Sequence, residues 1–107
     1  MSRITTHVLN TVSGRPAAGV RVALEINAAG EWQRLGECVT DADGRARDLL
    51  PPNHPLEAGS YCLRFQTSDV STFFPEVLIH FHIDDPEQHY HVPLLLSAYG
   101  YTTYRGS

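Results

Sequence analysis

Positive charge is scarce and scattered in this chain. Lys and Arg together number 8 against 12 Asp and Glu, for a formal charge of −4 at pH 7, and they form no cluster. A nucleic-acid surface needs a basic face, so that class of partner is excluded. Long apolar runs are missing too. None approaches the roughly 20 residues that cross a bilayer as a helix, so no membrane association is expected. The opening "MSRITTHVLN" has neither the basic flank nor the apolar stretch of a secretory leader. A cytoplasmic location is therefore the expectation, or a periplasmic one if a leader has been removed. Cysteine is limited to Cys38 and Cys62, with no CxxC and no Cys/His zinc spacing; two free thiols buried as small hydrophobes are expected. A GxSxG elbow, a phosphate-binding loop, an HExxH helix and a GxGxxG fingerprint are all absent.

What is present reads as one domain over residues 1–107, near the commonest domain size. A chain of this length buries roughly 65% of its unfolded surface, enough for a core without staples. The pattern is nearly all β. "VRVALEI" alternates Val20, Val22, Leu24 and Ile26 inward with Arg21, Ala23 and Glu25 outward. "EWQRLGECVT" follows the Ala29-Gly30 turn, with Trp32 as an expected core anchor. "TDADGR" is a tight turn in which Gly44 permits positive φ. "LPPNHPLEAGSY" is too proline-rich for a central strand. "YCLRFQT" sets Tyr61, Leu63 and Phe65 against Cys62, Arg64 and Gln66, and "EVLIHFHID" puts Val77, Ile79, Phe81 and Ile83 on one face. "HYHVPLLLSAYGYTTYRGS" forms a last hairpin turning near Ser97 to Gly100. The expectation is an all-β, two-sheet sandwich of about eight strands with at most one short helix, in "EAG" or "SDVST".

Four of the six histidines fall in "HFHIDDPEQHYH". Residues i and i+2 on a strand share a face, so His80 with His82, or His89 with His91, has the spacing of a metal-gripping pair. Exposed strand histidines more commonly face water. His7 in "THVLN" and Arg45 after Gly44 read, taken alone, as a structural histidine and a surface arginine. Residue types alone therefore stop at a β-sandwich with surplus histidines.

Several separated segments go further. "THVLNTVSGRPAAGVRVAL", "TDADGR", "FFPE", "HYHVPLLLS" and "YGYTTYRGS" resemble the transthyretin-like family from about Ile4 to Ser107, and the ending "YRGS" is similar to its 5-hydroxyisourate hydrolase branch. The resemblance implies the transthyretin fold, a homotetramer built as a dimer of dimers, and active sites in the channel between dimers. It implies hydrolysis of the small molecule 5-hydroxyisourate in urate degradation, with no metal and no organic cofactor. The catalytic set carried over is His7, Arg45, His91 and Ser107. Tyr104, Arg105 and Gly106 complete the terminal motif and position Ser107 or contact substrate. The role of His89 stays open. A transthyretin-like carrier without catalysis is the alternative. A metal-binding sandwich using His80, His82, His89 and His91 is a third reading. One departure stands out: between "RFQTSD" and "STFFPE" the chain is several residues shorter than is usual for the family, where a short helix lies. That change is expected to alter stability or assembly before catalysis.

Overall fold

The computed structural model describes residues 3–51 and 53–106, and it is an all-β sandwich of two sheets. In chain order the strands are β1 (Ile4–Asn10), β2 (Arg15–Pro16), β3 (Arg21–Ala28), β4 (Glu31–Val39), β5 (Arg45–Ala46), β6 (Gly59–Gln66), β7 (Glu76–Ile83), β8 (Tyr90–His91), β9 (Leu94–Leu96) and β10 (Tyr101–Thr103). The count exceeds the expected eight because β2, β5 and β8 are two-residue ladders laid against β1. Among the described residues there is no helix.

One sheet is organised around β1. It runs parallel to β8 and β9 on one side and antiparallel to β2 and β5 on the other, with β10 closing a hairpin on β9. β8 and β9 are two parts of one run, separated at Pro93, which has no N–H to give to a ladder. The Thr6 hydroxyl makes good part of the gap by donating to the Val92 carbonyl at 2.5 Å. The turn between Ser97 and Gly100 is closed by the Ser97 N–H on the Gly100 carbonyl, as the sequence predicts.

The second sheet has the order β4-β3-β6-β7, antiparallel throughout. Its inner face carries Val22, Leu24, Tyr61, Leu63, Phe65, Val77, Ile79 and Ile83, all buried against Ile4, Val8, Leu94 and Leu96 of the first sheet. These are the alternating positions predicted, and such burial supplies roughly 1.5–3 kcal/mol per large side chain. The β3–β4 register slips after Leu24, so Leu35 bulges out. Gly36 sits where a Cβ would lie 1.9 Å from the Leu49 carbonyl oxygen, a contact no side chain tolerates.

Two expectations are corrected, those for Trp32 and Cys38. Trp32 is not a core anchor: it is 41% exposed on edge strand β4, with its ring edge-to-face against His80 at 5.1 Å. Ala23 and Glu25 do face outward, yet both are buried, because long side chains cover that face. A chain of alternating charges, Arg21–Glu37–Arg34–Glu25–Arg64–Glu76, crosses all four strands there, with contacts of 3.0–3.4 Å. Both cysteines are free, but only Cys62 is buried; Cys38 is half-buried. The shortened segment closes without a helix. Thr67 N–H donates to the Pro75 carbonyl, Thr67 Oγ1 to the Phe74 carbonyl, and Ser71 Oγ reaches across to the Ala98 carbonyl at 2.6 Å.

Candidate functional site

Register decides which side chains meet. Ile4, Thr6 and Val8 of β1 point into the core and are fully buried, so Thr5, His7 and Leu9 point the other way. Residues directly opposite one another on neighbouring strands share a face. His7 lies opposite Arg45 of β5, and Thr5 opposite His91 of β8. His91 in turn bridges to Gly106, whose N–H donates to the His91 carbonyl at 2.8 Å. His7, Arg45, His91 and the penultimate residue therefore meet on the outer face of the first sheet, drawn from four separate stretches of chain.

Arg45 is delivered by its turn. The Asp41 carboxylate accepts the backbone N–H groups of Asp43 and Arg45 at 2.9 and 3.0 Å. Those hydrogen bonds, that from Arg45 foremost, hold the Asp41 carboxyl below its ordinary value. Gly44 has φ of +76°, and a Cβ there would lie 2.5 Å from the Val8 carbonyl oxygen. Glycine is required on both counts. The Gly44 carbonyl then accepts Val8 N–H at 2.7 Å, pinning the turn beside His7. Among the described residues no carboxylate lies within ion-pair distance of the Arg45 guanidinium, whereas Arg3, Arg21, Arg34, Arg47 and Arg64 are all paired.

His91 is half-buried, and its basicity is set by its surroundings. Burial lowers its pKa below the ordinary imidazole value, and the charge of Arg45, with that of His89 and His7 whenever they are protonated, lowers it further against a hydrogen bond to the Thr5 backbone that raises it. The ring is neutral at pH 7 and able to accept a proton. Its Nδ1 is 2.9 Å from Thr5 Oγ1, and the same hydroxyl lies 3.1 Å from His89 Nε2. The two imidazoles are nearly parallel, at 13° with centroids 6.5 Å apart. Gly106 packs against the His91 ring so closely that a Cβ would sit 2.7 Å from Cδ2.

The terminal motif divides. Gly106 joins the cluster, while Arg105 goes to the opposite face of β8. Its guanidinium lies over the inward-facing Tyr90 ring at 4.5 Å and donates to Gln88 Oε1 at 2.8 Å. Arg105 thus ties the tail to the β7–β8 connection instead of facing the histidines. Tyr104 is exposed. Ser107 lies outside the described residues.

The four-histidine metal reading is not supported by the geometry. His80 and His82 are on β7 of the second sheet and His89 and His91 at β8 of the first; His82 pairs with Asp84 at 3.1 Å. Among the described residues no three His, Cys, Asp or Glu side chains converge to hold a metal. The Cys62 thiol is pushed up by burial, away from nucleophilic use. Sequence reasoning missed Thr5 and left His89 open. The signal for Thr5 was its place two residues before His7, on the same strand face.

Comparison with known proteins agrees with this architecture. The HIUase/Transthyretin family matches residues 4–106. The 5-hydroxyisourate hydrolase of Caulobacter vibrioides is 46% identical, covering 100% of both chains. The solved 5-hydroxyisourate hydrolase of Klebsiella pneumoniae superimposes with a TM-score of 0.80 at 36% identity, covering 97% of this chain and 98% of that one. Sea bream transthyretin in complex with thyroxine superimposes with a TM-score of 0.85 at 29% identity, covering 98% and 95%.

Proposed function

The chain belongs to the HIUase/Transthyretin family, and within it we propose that this protein is a 5-hydroxyisourate hydrolase of urate degradation. The observation that carries the reading is the shared face of His7, Arg45, His91 and Gly106, set by the β1 register. The substrate is a planar, carbonyl-rich, acidic bicycle, and the reaction opens its six-membered ring with water. The product is 2-oxo-4-hydroxy-4-carboxy-5-ureidoimidazoline.

Each residue has a task that follows from its state. His91, neutral at pH 7, takes a proton from the attacking water at Nε2, the nitrogen that Thr5 leaves free. Arg45 is permanently charged and without a carboxylate partner among the described residues, so it holds the anionic substrate and the developing oxyanion. A donor of that kind is worth about 3 kcal/mol in the transition state. His7, beside Arg45, passes a proton to the leaving nitrogen. Ser107, the residue that follows Gly106 in the chain, has the task of orienting substrate or water. These steps use side chains and water alone.

The proposal extends to assembly. β7 and β10 each end a sheet, leaving rows of backbone donors and acceptors open. Pairing those edges with a second copy, and stacking two such dimers into a tetramer, encloses the histidine face in a channel. The shortened loop Thr67–Pro75 reaches Ala98 through Ser71 and sets its Phe73 and Phe74 rings against Tyr99 and Tyr101 at the β10 edge, so it borders that pairing.

The test is an assay of 5-hydroxyisourate freshly generated by urate oxidase, comparing wild type with His91→Asn. Wild type should accelerate decay, and the variant should lose roughly 10²–10⁴-fold while remaining folded and assembled. An assembled wild type with no acceleration, but with tight binding of an apolar ligand, would replace the hydrolase by a carrier.

A further inference from the structure

One hydroxyl serves two imidazoles in this site. Thr5 Oγ1 stands 2.9 Å from His91 Nδ1 and 3.1 Å from His89 Nε2, and Thr5 is only 4% exposed, so water competes little for it. A threonine hydroxyl has a single hydrogen and two lone pairs. It cannot donate to both rings at once. The direction of one hydrogen bond therefore constrains the other. The rings differ in access to solvent: His89 is exposed and His91 half-buried.

We propose that Thr5 is a positioning residue that links the tautomer of His91 to the protonation state of His89, so that the exposed histidine switches the buried base on and off. The inference rests on the hydrolase reading for its kinetic consequence, but not for the coupling itself. With His89 neutral, its Nε2 lone pair accepts the Thr5 hydroxyl hydrogen. Thr5 oxygen then accepts the Nδ1–H of His91, and His91 Nε2 carries the lone pair that takes a proton from water. When His89 gains a proton from solvent, its Nε2–H points into the Thr5 oxygen. The hydroxyl hydrogen turns to the remaining ring acceptor, His91 Nδ1. Neutral His91 then carries its proton on Nε2 and has no lone pair facing the substrate. No proton crosses between the rings; one ring is protonated from solvent, one hydroxyl rotates, and one tautomer changes.

The neighbouring charges sharpen this. His7 of β1 and Arg45 of β5 lie on the same face as His91, and the Arg105 guanidinium reaches the His89 carbonyl at 3.5 Å from the other side. All are positive or become so on protonation, which disfavours charging both rings together. Two separate protonations then silence the base on the acid side. One is of His91 itself, and the other is of His89 acting through Thr5.

The experiment compares wild type, Thr5→Val, Thr5→Ser and His89→Gln in two readouts. In turnover of 5-hydroxyisourate, the acid limb of log kcat against pH should steepen in wild type from a slope of one to a limiting slope of two, reached only where both rings are charged. That limit should fall to one in Thr5→Val and in His89→Gln. Thr5→Val should also lose roughly tenfold in kcat with KM unchanged, and Thr5→Ser should restore both slope and rate. In ¹⁵N NMR of the protein without substrate, the His91 ring should change tautomer over the pH range in which His89 titrates, and His89→Gln should abolish that change. A slope that stays at two in both variants, or rate losses in both with the slope unaltered, would overturn the proposal. So would a His91 tautomer indifferent to His89. If wild type shows no turnover, the hydrolase reading fails, while the NMR readout still decides the coupling. His89→Gln alters an exposed position, so a misfolded Thr5→Val would not remove the test.

Discussion

Gly106→Ala isolates the contact between the chain's tail and His91. A Cβ at this position would lie 2.7 Å from His91 Cδ2, about 1 Å inside ordinary contact. The ring has little room to yield, because Nδ1 is held by Thr5 and the backbone carbonyl by Gly106 itself. Forcing a methyl group into such a site costs about 1–3 kcal/mol. The alternative is to give up the Gly106–His91 bridge, one hydrogen bond worth about 0.5–1.5 kcal/mol. Those magnitudes favour release of the tail over distortion of the sheet. Melting temperature should therefore fall by only about 2–8 °C, the equivalent of that one hydrogen bond, since the strands and core are untouched. Turnover should fall between roughly tenfold and a hundredfold, the usual consequence of displacing a positioned group by about 1 Å. Exchange of the residue-106 amide should lose its protection. Gly100→Ala is the control, because a Cβ there meets nothing nearer than Ser97 Oγ at 3.6 Å. A Gly106→Ala enzyme with full turnover and a protected amide would refute the reasoning. So would a melting point lowered by more than about 10 °C, which would mean that the ring pushes into the sheet instead.

Three further outcomes follow from the same structure. Gly44→Ala should cost about 2–4 kcal/mol, seen as a fall in melting temperature of roughly 10–15 °C, because both the +76° φ and the Val8 carbonyl exclude a side chain. Glu25→Gln should cost about 1–2 kcal/mol in urea unfolding at pH 7, the cost being limited because Arg34 and Arg64 keep access to solvent. Burial alone would raise the Glu25 pKa, but the Arg64 and Arg34 hydrogen bonds outweigh it and the pKa is lowered. Its stabilisation is thus present above the unfolded value and lost as pH falls through the lower folded one. The difference between Glu25→Gln and wild type should shrink below about pH 4, and a constant difference down to pH 2 would reject this role. Ala29 has φ of +55° before Gly30 at +86° in the β3–β4 turn, so Ala29→Asn should stabilise by about 0.5–1 kcal/mol in thermal unfolding.

Strands β3, β6 and β7 were legible because each carries an uninterrupted period of two, and a one-residue slip would expose every core residue at once. The "DGR" turn and the Ser97–Gly100 turn were legible from residues with a single backbone use. The candidate site was different. His7, Arg45 and His91 are individually unremarkable, and their proximity depends on how β5 and β8 register against β1. No local pattern specifies that register. Only the resemblance of whole motifs brought them together beforehand.

The misreadings share one physical cause. Periodicity says which way a side chain points, but not what lies over it. Trp32 points away from the core of this sandwich, and the large apolar ring suggested otherwise. Ala23 and Glu25 point outward and are still buried, because Arg34 and Arg64 reach over them from adjacent strands. Thr5 points away from the core as well and is almost fully buried, covered by two imidazoles that enter from 84 and 86 residues further along the chain. An outward-facing polar residue that is nonetheless buried marks a place where distant segments converge on one sheet face. On the second sheet that convergence is an ion-pair ladder with every charge answered. On the first it is Thr5 beneath two titratable rings, beside an arginine with no carboxylate partner among the described residues. Among the described residues, the first sheet's outer face brings together a positive charge without a carboxylate partner and a neutral proton acceptor. That difference, more than any single histidine, supports placing the proposed chemistry there.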